Sequence, residues 1–324
     1  MIDPVYINGE FIDQYTNYRE LIEALRAAFK NHRINVPPRH HHNFSNTELG
    51  RDTTILLMPA WQDGIDGGVK VVSVSPENGQ LGLPSIHGSY IYMDAKTGAV
   101  KAIIEAKKLT SKRTAAASAL ASELLSSRDS QRMLMIGSGA LSAELVVAHA
   151  TVRPIEHVYI WGRNMNKAKA VCTRLKDRDF DSEAVRDIDS VIRQADIISV
   201  ATMSRFPLIH GTHLELGQHI DLVGAFKPDM READDDVIKR ACLYCDVMDM
   251  AIKESGDLYI PLQEELITLA DIKGDLFSLC DSGVGRKSKD EITLFKSVGH
   301  ALEDLVAARY YYHKFCKLND IPED

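Results

Sequence analysis

Membrane, secreted and nucleic-acid-binding proteins carry signals that this 324-residue sequence lacks. It has no apolar run of about 18 residues and no charged segment followed by an apolar leader, so we expect neither a membrane partner nor export. Its five cysteines are odd in number and scattered, which favours reduced thiols in a cytoplasm over a disulfide framework. The net charge of −8, without a block of lysine or arginine, argues against a nucleic-acid partner.

Metal sites and repeats are also disfavoured. Cys242 and Cys245 form a single C-x-x-C motif in an apolar segment, so buried thiols are a better interpretation than zinc. The three consecutive histidines at 40–42 are interpreted as solvated or packed side chains of a loop, not as metal ligands. We find no internal repeat. The composition, 45% hydrophobic and 26% charged, is that of a globular protein long enough for two domains.

A strand, a glycine turn and a helix are predicted in the middle of the chain. Residues 133–136 are a short apolar run typical of a buried strand, and residues 140–150 favour helix. The turn between them, Gly137-Ser138-Gly139-Ala140, leaves backbone N–H groups and a positive helix end open to a pyrophosphate. Ser142 replaces the third glycine of the usual G-x-G-x-x-G pattern, so this motif alone is a weak signal.

The next predicted strand, residues 157–161, is followed by Gly162-Arg163-Asn164. NAD-binding units usually have an acid here, which binds the ribose hydroxyls. An acid would repel a 2′-phosphate, whereas Arg163 can pair with one through two hydrogen bonds. A solvated arginine at a strand end is the alternative. Together with the glycine turn, Arg163 and Asn164 predict NADPH as cofactor, with NADH as the second choice.

Strands and helices alternate up to residue 299. Strands are predicted over residues 196–201, 218–224 and 243–247. One helix is predicted to end over residues 190–195, and another to cover residues 232–241. This repetition predicts an α/β fold with a doubly wound parallel sheet, a Rossmann domain over residues 121–299. Ligands of such sheets bind beyond the carboxyl ends of the strands, where Thr202 and Phe226 are expected.

Residues 1–120 predict a separate, smaller α+β domain. Helical periodicity covers residues 18–32, strands are expected over 53–59, 69–74 and 89–93, and a long helix from His300 is expected to return to this domain. Lys70 shares a strand face with Val72 and Val74, which is costly unless an anion pairs with the ammonium. The alternative is a lysine that snorkels to the surface.

Lys112 and Arg113 are predicted to lie in the first turn of a helix that begins near Leu109. Thr110 and Ser111 can cap this helix, and an alanine-rich run follows. Positive charges in a first turn oppose the helix dipole by about 0.3–1 kcal/mol each. A residue placed against its local preference is a candidate functional residue, and an arginine at a helix N-terminus suits a carboxylate.

Short motifs spread over nearly the whole chain resemble, in order, those of the ornithine cyclodeaminase/mu-crystallin family. Each is weak alone, but the joint match is highly specific. The motifs are Val36-Pro-Pro-Arg39, Leu57-Met-Pro-Ala60, Gly68-Val-Lys70, Gly82-Leu-Pro-Ser85, Leu109-Thr-Ser-Lys-Arg-Thr-Ala115, Gly137-Ser-Gly139, Ala201-Thr202, Val223-Gly-Ala225 with Pro228 and Glu232, and Ile292-Thr-Leu-Phe-Lys-Ser-Val-Gly299.

The resemblance implies a homodimer and assigns roles to both domains. The N-terminal domain, completed by the C-terminal helix over residues 300–324, would bind substrate and pair the subunits. Arg39, Lys70 and Arg113 match the positions that hold the substrate carboxylate. The nicotinamide and the substrate ring would lie near five further residues: Thr202, Val223, Phe226, Lys296 and Gly299.

Two departures from the cyclodeaminases narrow the implied activity. Leu56 occupies the position at which those enzymes have an acid before Met-Pro. Phe226 occupies the position of their catalytic Asp. Without that carboxylate nothing obvious accepts the amino proton of ornithine. Residues 225–232 resemble instead the branch that reduces cyclic ketimines. The predicted reaction is therefore NAD(P)H-dependent reduction of a cyclic imino acid, Δ1-pyrroline-2-carboxylate to L-proline or Δ1-piperideine-2-carboxylate to L-pipecolate.

Several alternatives remain open. Lys70, His87 or water could donate the proton, and a protonated substrate would need no donor. Ornithine cyclodeamination and an alanine- or opine-type amino-acid dehydrogenase are rival activities, and a noncatalytic crystallin-like binding role is a third.

Overall fold

The computed structural model describes residues 3–47, 50, 52–283 and 285–322, and divides into two compact units. The first unit comprises the described residues of Met1–Arg113 and His300–Asp324, and the second those of Thr114–Gly299. The chain passes from one to the other inside the helix Ala106–Leu125. The division therefore lies at Arg113, within that helix, whereas we expected it after residue 120.

The first unit is a mixed sheet with helices on one face. The strands and helices are β1 (Val5–Ile7), α1 (Gly9–Tyr15), α2 (Tyr18–Asn31), β2 (Ile34–Asn35), β3 (His40–Phe44), β4 (Thr53–Gln62), β5 (Asp66–Val74), a 3-10 helix (Pro76–Leu81), β6 (Ile86–Asp94), β7 (Val100–Glu105), the start of α3 (Ala106–Leu125), and α10 (Ala301–Leu318). The strand order is β1-β7-β6-β5-β4-β2, with β3 also on β4, and only the β1–β7 pair is parallel. Helix α10 packs on β4, β5, β6 and α2.

The predicted helical face of residues 18–32 forms the core beneath this sheet. Leu21, Ile22, Leu25 and Phe29 are fully buried at the spacing of one helix face. The Asn17 side chain caps α2 by accepting a hydrogen bond from the Glu20 N–H.

Two local predictions in this unit were wrong. Helix α3 begins at Ala106, because the Glu105 carboxylate accepts hydrogen bonds from the N–H groups of Lys107 and Lys108 and so satisfies the first turn. Arg113 consequently lies two turns inside the helix, and the argument from the helix dipole fails for it. The three histidines are not in a loop either, since they are exposed in β3, paired with Ile55–Leu57 of β4.

The second unit is an eight-stranded parallel sheet. The strands and helices are the rest of α3, β8 (Arg132–Ile136), α4 (Ser142–Val152), β9 (His157–Trp161), α5 (Met165–Lys176), β10 (Asp181–Val185), β11 (Ile197–Val200), β12 (His219–Leu222), α6 (Asp235–Arg240), β13 (Cys242–Cys245), α7 (Met248–Glu254), α8 (Gly256–Gln263), β14 (Ile272–Asp275), α9 (Leu276–Ser282) and β15 (Thr293–Lys296), with 3-10 helices at Ile192–Gln194, Gly211–His213 and Leu269–Asp271.

The strand order, β10-β9-β8-β11-β12-β15-β13-β14, confirms the predicted doubly wound Rossmann sheet. From β8 the chain winds outward through β9 and β10, then returns to β11 on the other side of β8. Ligand crevices form at this reversal. We missed β10, β14, β15 and helices α5 and α7–α9, and residues 192–194 form a 3-10 helix instead of the predicted helix end.

The structure also bears on membranes and metals. Over residues 3–47, 50, 52–283 and 285–322, the helices are too short or too polar to cross a bilayer. Cys242 and Cys245 lie in β13 as free thiols, and in the same described part of the chain we find no group of three or more His, Cys, Asp or Glu side chains arranged to hold a metal.

Candidate active site

A buried cluster of charged side chains lies between the sheet and α10 in the first unit. The ammonium of Lys70 on β5 is 2.7 Å from Asp304 Oδ2, and it donates to Asp304 Oδ1 at 2.9 Å. The guanidinium of Arg113 on α3 donates to Asp304 Oδ1 at 2.8 Å and to Glu303 Oε2 at 2.7 Å. All four side chains are almost fully buried. The structure therefore brings together two of the three predicted substrate-binding cations.

We did not predict the two acids of this cluster. Glu303 and Asp304 lie in the first turn of α10, where the helix dipole favours negative charge. Burial opposes ionisation of Asp304, but Arg113 and Lys70 outweigh it and lower the pKa of its carboxyl. The sequence signal was available, because the two adjacent acids stand in an otherwise apolar stretch, residues 301–308.

The two cations respond differently to burial. Burial is the largest influence on Lys70 and lowers its pKa to about 8, although Asp304 acts in the opposite direction. Burial also opposes the charge on Arg113, but Asp304 and Glu303 prevail and raise the pKa of its guanidinium. Arg113 is thus a fixed charge, whereas Lys70 can lose its proton near pH 8.

Arg39, the third predicted cation, lies near this cluster on the segment before β3. Its charge contributes to lowering the pKa of Lys70, and that of His300, which burial brings to about 4. His300 is therefore neutral at pH 7. Arg39, Lys70 and Arg113 thus lie in one region of the first unit, close enough for their charges to influence one another.

The glycine turn has the shape expected of a pyrophosphate site. Gly137 has φ +132°, and a Cβ there would lie 2.6 Å from the Ala201 carbonyl oxygen, so only glycine fits between the ends of β8 and β11. Ser142 Oγ donates to the Gly137 carbonyl at 2.9 Å, and the space beside Gly139 is open. Helix α4 starts at Ser142, after Ser138 and Ala140, with its first N–H groups lacking intrahelical partners. These residues fit a dinucleotide.

The end of β9 carries the two residues predicted to read the adenosine side. Arg163 is exposed. The Asn164 side chain is the N-cap of α5 and accepts hydrogen bonds from the N–H groups of Asn166 and Lys167. The Asn164 oxygen is therefore occupied at the start of α5, and the pairing of Arg163 with a 2′-phosphate stays a prediction.

Comparison with known proteins identifies the family. The model of the ornithine cyclodeaminase/mu-crystallin family matches residues 7–318. The chain belongs to this family. The Δ1-pyrroline-2-carboxylate reductase of Paracoccus denitrificans is 37% identical over 297 residues, which are 91% of this chain and 92% of that protein. The resemblance inferred from the motifs is thus confirmed.

Two solved structures are similar over their full length. The Thermococcus litoralis Δ1-pyrroline-2-carboxylate reductase in complex with NADH and L-proline has a TM-score of 0.89 at 31% identity, covering 97% of this chain and 98% of that chain. An archaeal alanine dehydrogenase dimer with bound NAD has a TM-score of 0.89 at 25% identity, covering 98% of this chain and 97% of that chain.

In this member of the family, the residues expected about the nicotinamide lie at the carboxyl ends of neighbouring strands. Thr202 follows β11, Val223 and Phe226 follow β12, Lys296 ends β15 and Gly299 follows it. Phe226 is 41% exposed. The Lys296 side chain, in contrast, is fully buried and donates to Asp257 Oδ2 at 3.2 Å.

Three buried acids that we did not predict as site residues support these strand ends. Glu232 binds the turns after β11 and β12. Asp257 accepts from the N–H groups of Glu232 and Ala233. Asp246 Oδ2 accepts from the N–H of Gly299 at 2.6 Å and from the N–H of Val298 at 2.7 Å. Acids that bind backbone across distant segments leave no local sequence signal.

Proposed function

We propose that this protein is an oxidoreductase that reduces a cyclic imino acid with NAD(P)H, converting Δ1-pyrroline-2-carboxylate to L-proline and its six-membered homologue to L-pipecolate. The observation that carries the proposal is the buried cluster of Lys70, Arg113, Glu303 and Asp304 with Arg39 beside it. The Paracoccus denitrificans relative is a reductase of this substrate, and the similar Thermococcus litoralis structure contains NADH and L-proline.

The cluster suits a small carboxylate because its cations are already oriented. Asp304 binds both Lys70 and Arg113, which fixes the two side chains at one point. A substrate carboxylate would then pair with Arg39, Arg113 and Lys70 at little cost in side-chain entropy. Such positioning is a large part of the rate enhancement available for an electrophilic imine. The bound dinucleotide supplies the hydride.

The proton that completes the reduction has two protein candidates. The Lys70 ammonium, with its pKa lowered to about 8, is acidic enough to donate near neutral pH and has Asp304 to stabilise it when recharged. His87 is exposed on β6, opposite Ser73. We favour Lys70, because it belongs to the cluster that binds the carboxylate.

Cyclodeamination of ornithine is disfavoured by the residues at two positions. Leu56 lies on β4 opposite Val72, and Phe226 is a half-exposed apolar side chain after β12. Neither can accept a proton. Reductive amination of a 2-oxo acid with ammonia stays as the second candidate, since the similar archaeal structure is an alanine dehydrogenase.

We propose NADPH as the preferred cofactor, with NADH accepted. The support is Arg163, exposed after β9 where an NAD-specific unit has an acid. The similar structures contain NADH and NAD, so the preference rests on this arginine alone.

We also propose a homodimer formed through the sheet of the first unit. On the face away from α10, the register aligns an apolar row across five strands: Tyr6, Ile103, Ile91, Val69 and Pro59. Tyr6 is 63% and Ile103 39% exposed in the single chain. Ile91, Val69 and Pro59 are partly buried, and a continuous, partly accessible apolar row of this kind is typical of a protein interface.

One assay separates the candidate activities. NADPH and NADH oxidation are measured with Δ1-pyrroline-2-carboxylate, with Δ1-piperideine-2-carboxylate, and with pyruvate plus ammonia. We expect turnover with the two cyclic imines and little with pyruvate. Turnover only with pyruvate and ammonia would favour the dehydrogenase, and no oxidation with any of them would leave a binding role. Ammonia release from L-ornithine would overturn the reductase assignment.

A further inference from the structure

The carboxylate of Glu232 lies at the meeting point of three segments in the second unit. Its Oε1 accepts hydrogen bonds from the Thr202 N–H and the Thr202 hydroxyl, both at 2.7 Å. Its Oε2 accepts from the N–H groups of Gly224 at 2.9 Å and Ala225 at 3.2 Å. One fully buried side chain thus joins the turn after β11 to the turn after β12.

These two turns touch each other as well as Glu232. A Cβ at Gly224 would lie 1.8 Å from the Thr202 carbonyl oxygen and 2.4 Å from Glu232 Oε1, so no larger residue fits there. The two turns are therefore closely packed, and the same carboxylate accepts hydrogen bonds from both. Because backbone N–H groups buried without an acceptor are costly, removing the acceptor would force both turns to rearrange.

A second pair of side chains holds Glu232 itself. The Asp257 carboxylate accepts from the Glu232 N–H at 2.7 Å through Oδ1, and Lys296 donates to its Oδ2 at 3.2 Å. Lys296 Nζ also lies 4.0 Å from Glu232 Oε2. Lys296 ends β15, so the network ties the ends of β11, β12 and β15 together. The lysine offsets part of the repulsion between the two buried carboxylates.

We infer that Glu232 is a positioning residue that shapes the nicotinamide end of the cofactor site by fixing the turns at Thr202 and Gly224-Ala225. This rests on the proposed function, because it requires a bound nicotinamide cofactor, which the family resemblance places at these turns. The Glu232 carboxylate accepts its hydrogen bonds from Thr202, Gly224 and Ala225, whereas the glycine turn at Gly137-Ser138-Gly139 accepts one from Ser142. We therefore expect the adenosine and pyrophosphate end to depend less on Glu232.

The inference is tested by Glu232→Gln with two ligands. NADPH reports on the whole site, and 2′-phospho-ADP-ribose, which lacks the nicotinamide, reports on the adenosine and pyrophosphate end alone. A glutamine offers one acceptor oxygen, and its NH2 group opposes the N–H donors of one turn. We expect the Kd for NADPH, measured by calorimetry, to rise about tenfold or more, the loss of one or two hydrogen bonds. The Kd for 2′-phospho-ADP-ribose should stay within about twofold.

Asp229→Asn is the matched control. Asp229 lies in the same loop, is exposed and forms a surface ion pair with Arg205, so the loss of its charge should change neither Kd. Glu232→Asp covers the case in which Glu232→Gln does not fold. It keeps the charge but is one methylene too short to bind both turns, and we expect an intermediate loss confined to NADPH.

The outcomes separate this inference from the function on which it rests. If the wild-type protein binds neither these ligands nor their counterparts without the 2′-phosphate, NADH and ADP-ribose, the proposed function fails. If it binds both and the Glu232 variants bind NADPH as tightly, Glu232 does not position the turns and the inference is overturned. Equal weakening of both ligands would also overturn it, because it would make Glu232 a support of the whole unit.

Discussion

Each unit of the protein buries a lysine with two carboxylates, but the two groups differ in what the carboxylates bind. In the first unit Glu303 and Asp304 bind side chains, Lys70 and Arg113. In the second unit Glu232 and Asp257 bind mainly backbone N–H groups. Side chains can exchange one anionic partner for another, whereas backbone cannot do so without moving a loop. The first group is therefore suited to bind a ligand and the second to hold a shape.

The strongest test of this comparison is Lys70→Met, which keeps the apolar stem and removes the charge. We expect kcat/KM for the cyclic imine to fall by about 100-fold or more, since the lysine orients or protonates the substrate. NADPH affinity should be unchanged. Lys70→Arg should recover little activity, because a planar guanidinium cannot replace a compact ammonium. Retention of most activity in Lys70→Met would place the substrate site elsewhere.

A second test removes the fixed charge of the cluster. Arg113→Ala should cost about 2 kcal/mol in kcat/KM, because it deletes a charge-assisted pair with the substrate carboxylate. The Kd for NADPH should barely change. The variant also leaves Glu303 and Asp304 short of a partner, so the thermal midpoint is measured alongside. An unaltered kcat/KM would reduce Arg113 to a structural ion-pair partner.

We expect a smaller effect from replacing Arg163, the residue assigned to the 2′-phosphate of the cofactor. Arg163→Asp replaces a phosphate partner by a repelling charge, so we expect NADPH to bind about tenfold more weakly while NADH binding changes little. The KM for the imine should stay constant, which would show that Arg163 affects cofactor binding and not substrate binding. Equal losses for NADPH and NADH would remove Arg163 from the 2′-phosphate site.

The smallest expected effect is a pH dependence. Burial lowers the pKa of Lys70 to about 8, so the ammonium is present below that pH and is lost above it. If the charge binds the substrate carboxylate, kcat/KM should halve near pH 8 and decline further at higher pH. The profile of Lys70→Met, measured over the same range, is the control and should lack this step. A wild-type profile that stays flat to pH 10 would contradict the assignment.

Local sequence patterns were sufficient to predict much of the fold. Apolar spacing predicted α2 and its buried face, and short apolar runs separated by glycine predicted β8, β9, β11 and β12. The chemistry of single positions indicated the glycine turn, Arg163 and Lys70. The start of α3 was misplaced because Glu105, a good cap acceptor, was overlooked in favour of the hydroxyls that follow.

Only the tertiary structure decided which charges meet. Arg113 and Asp304 are 191 positions apart, and Lys70 and Asp304 are 234 apart. Such pairs form because the sheet and α10 bury them together, and an unpaired charge there would be prohibitively costly. For the same reason Lys296, assigned to the cofactor by its motif, is turned inward to Asp257. The sequence by itself determined the elements and the kinds of chemistry present, and packing determined the partners.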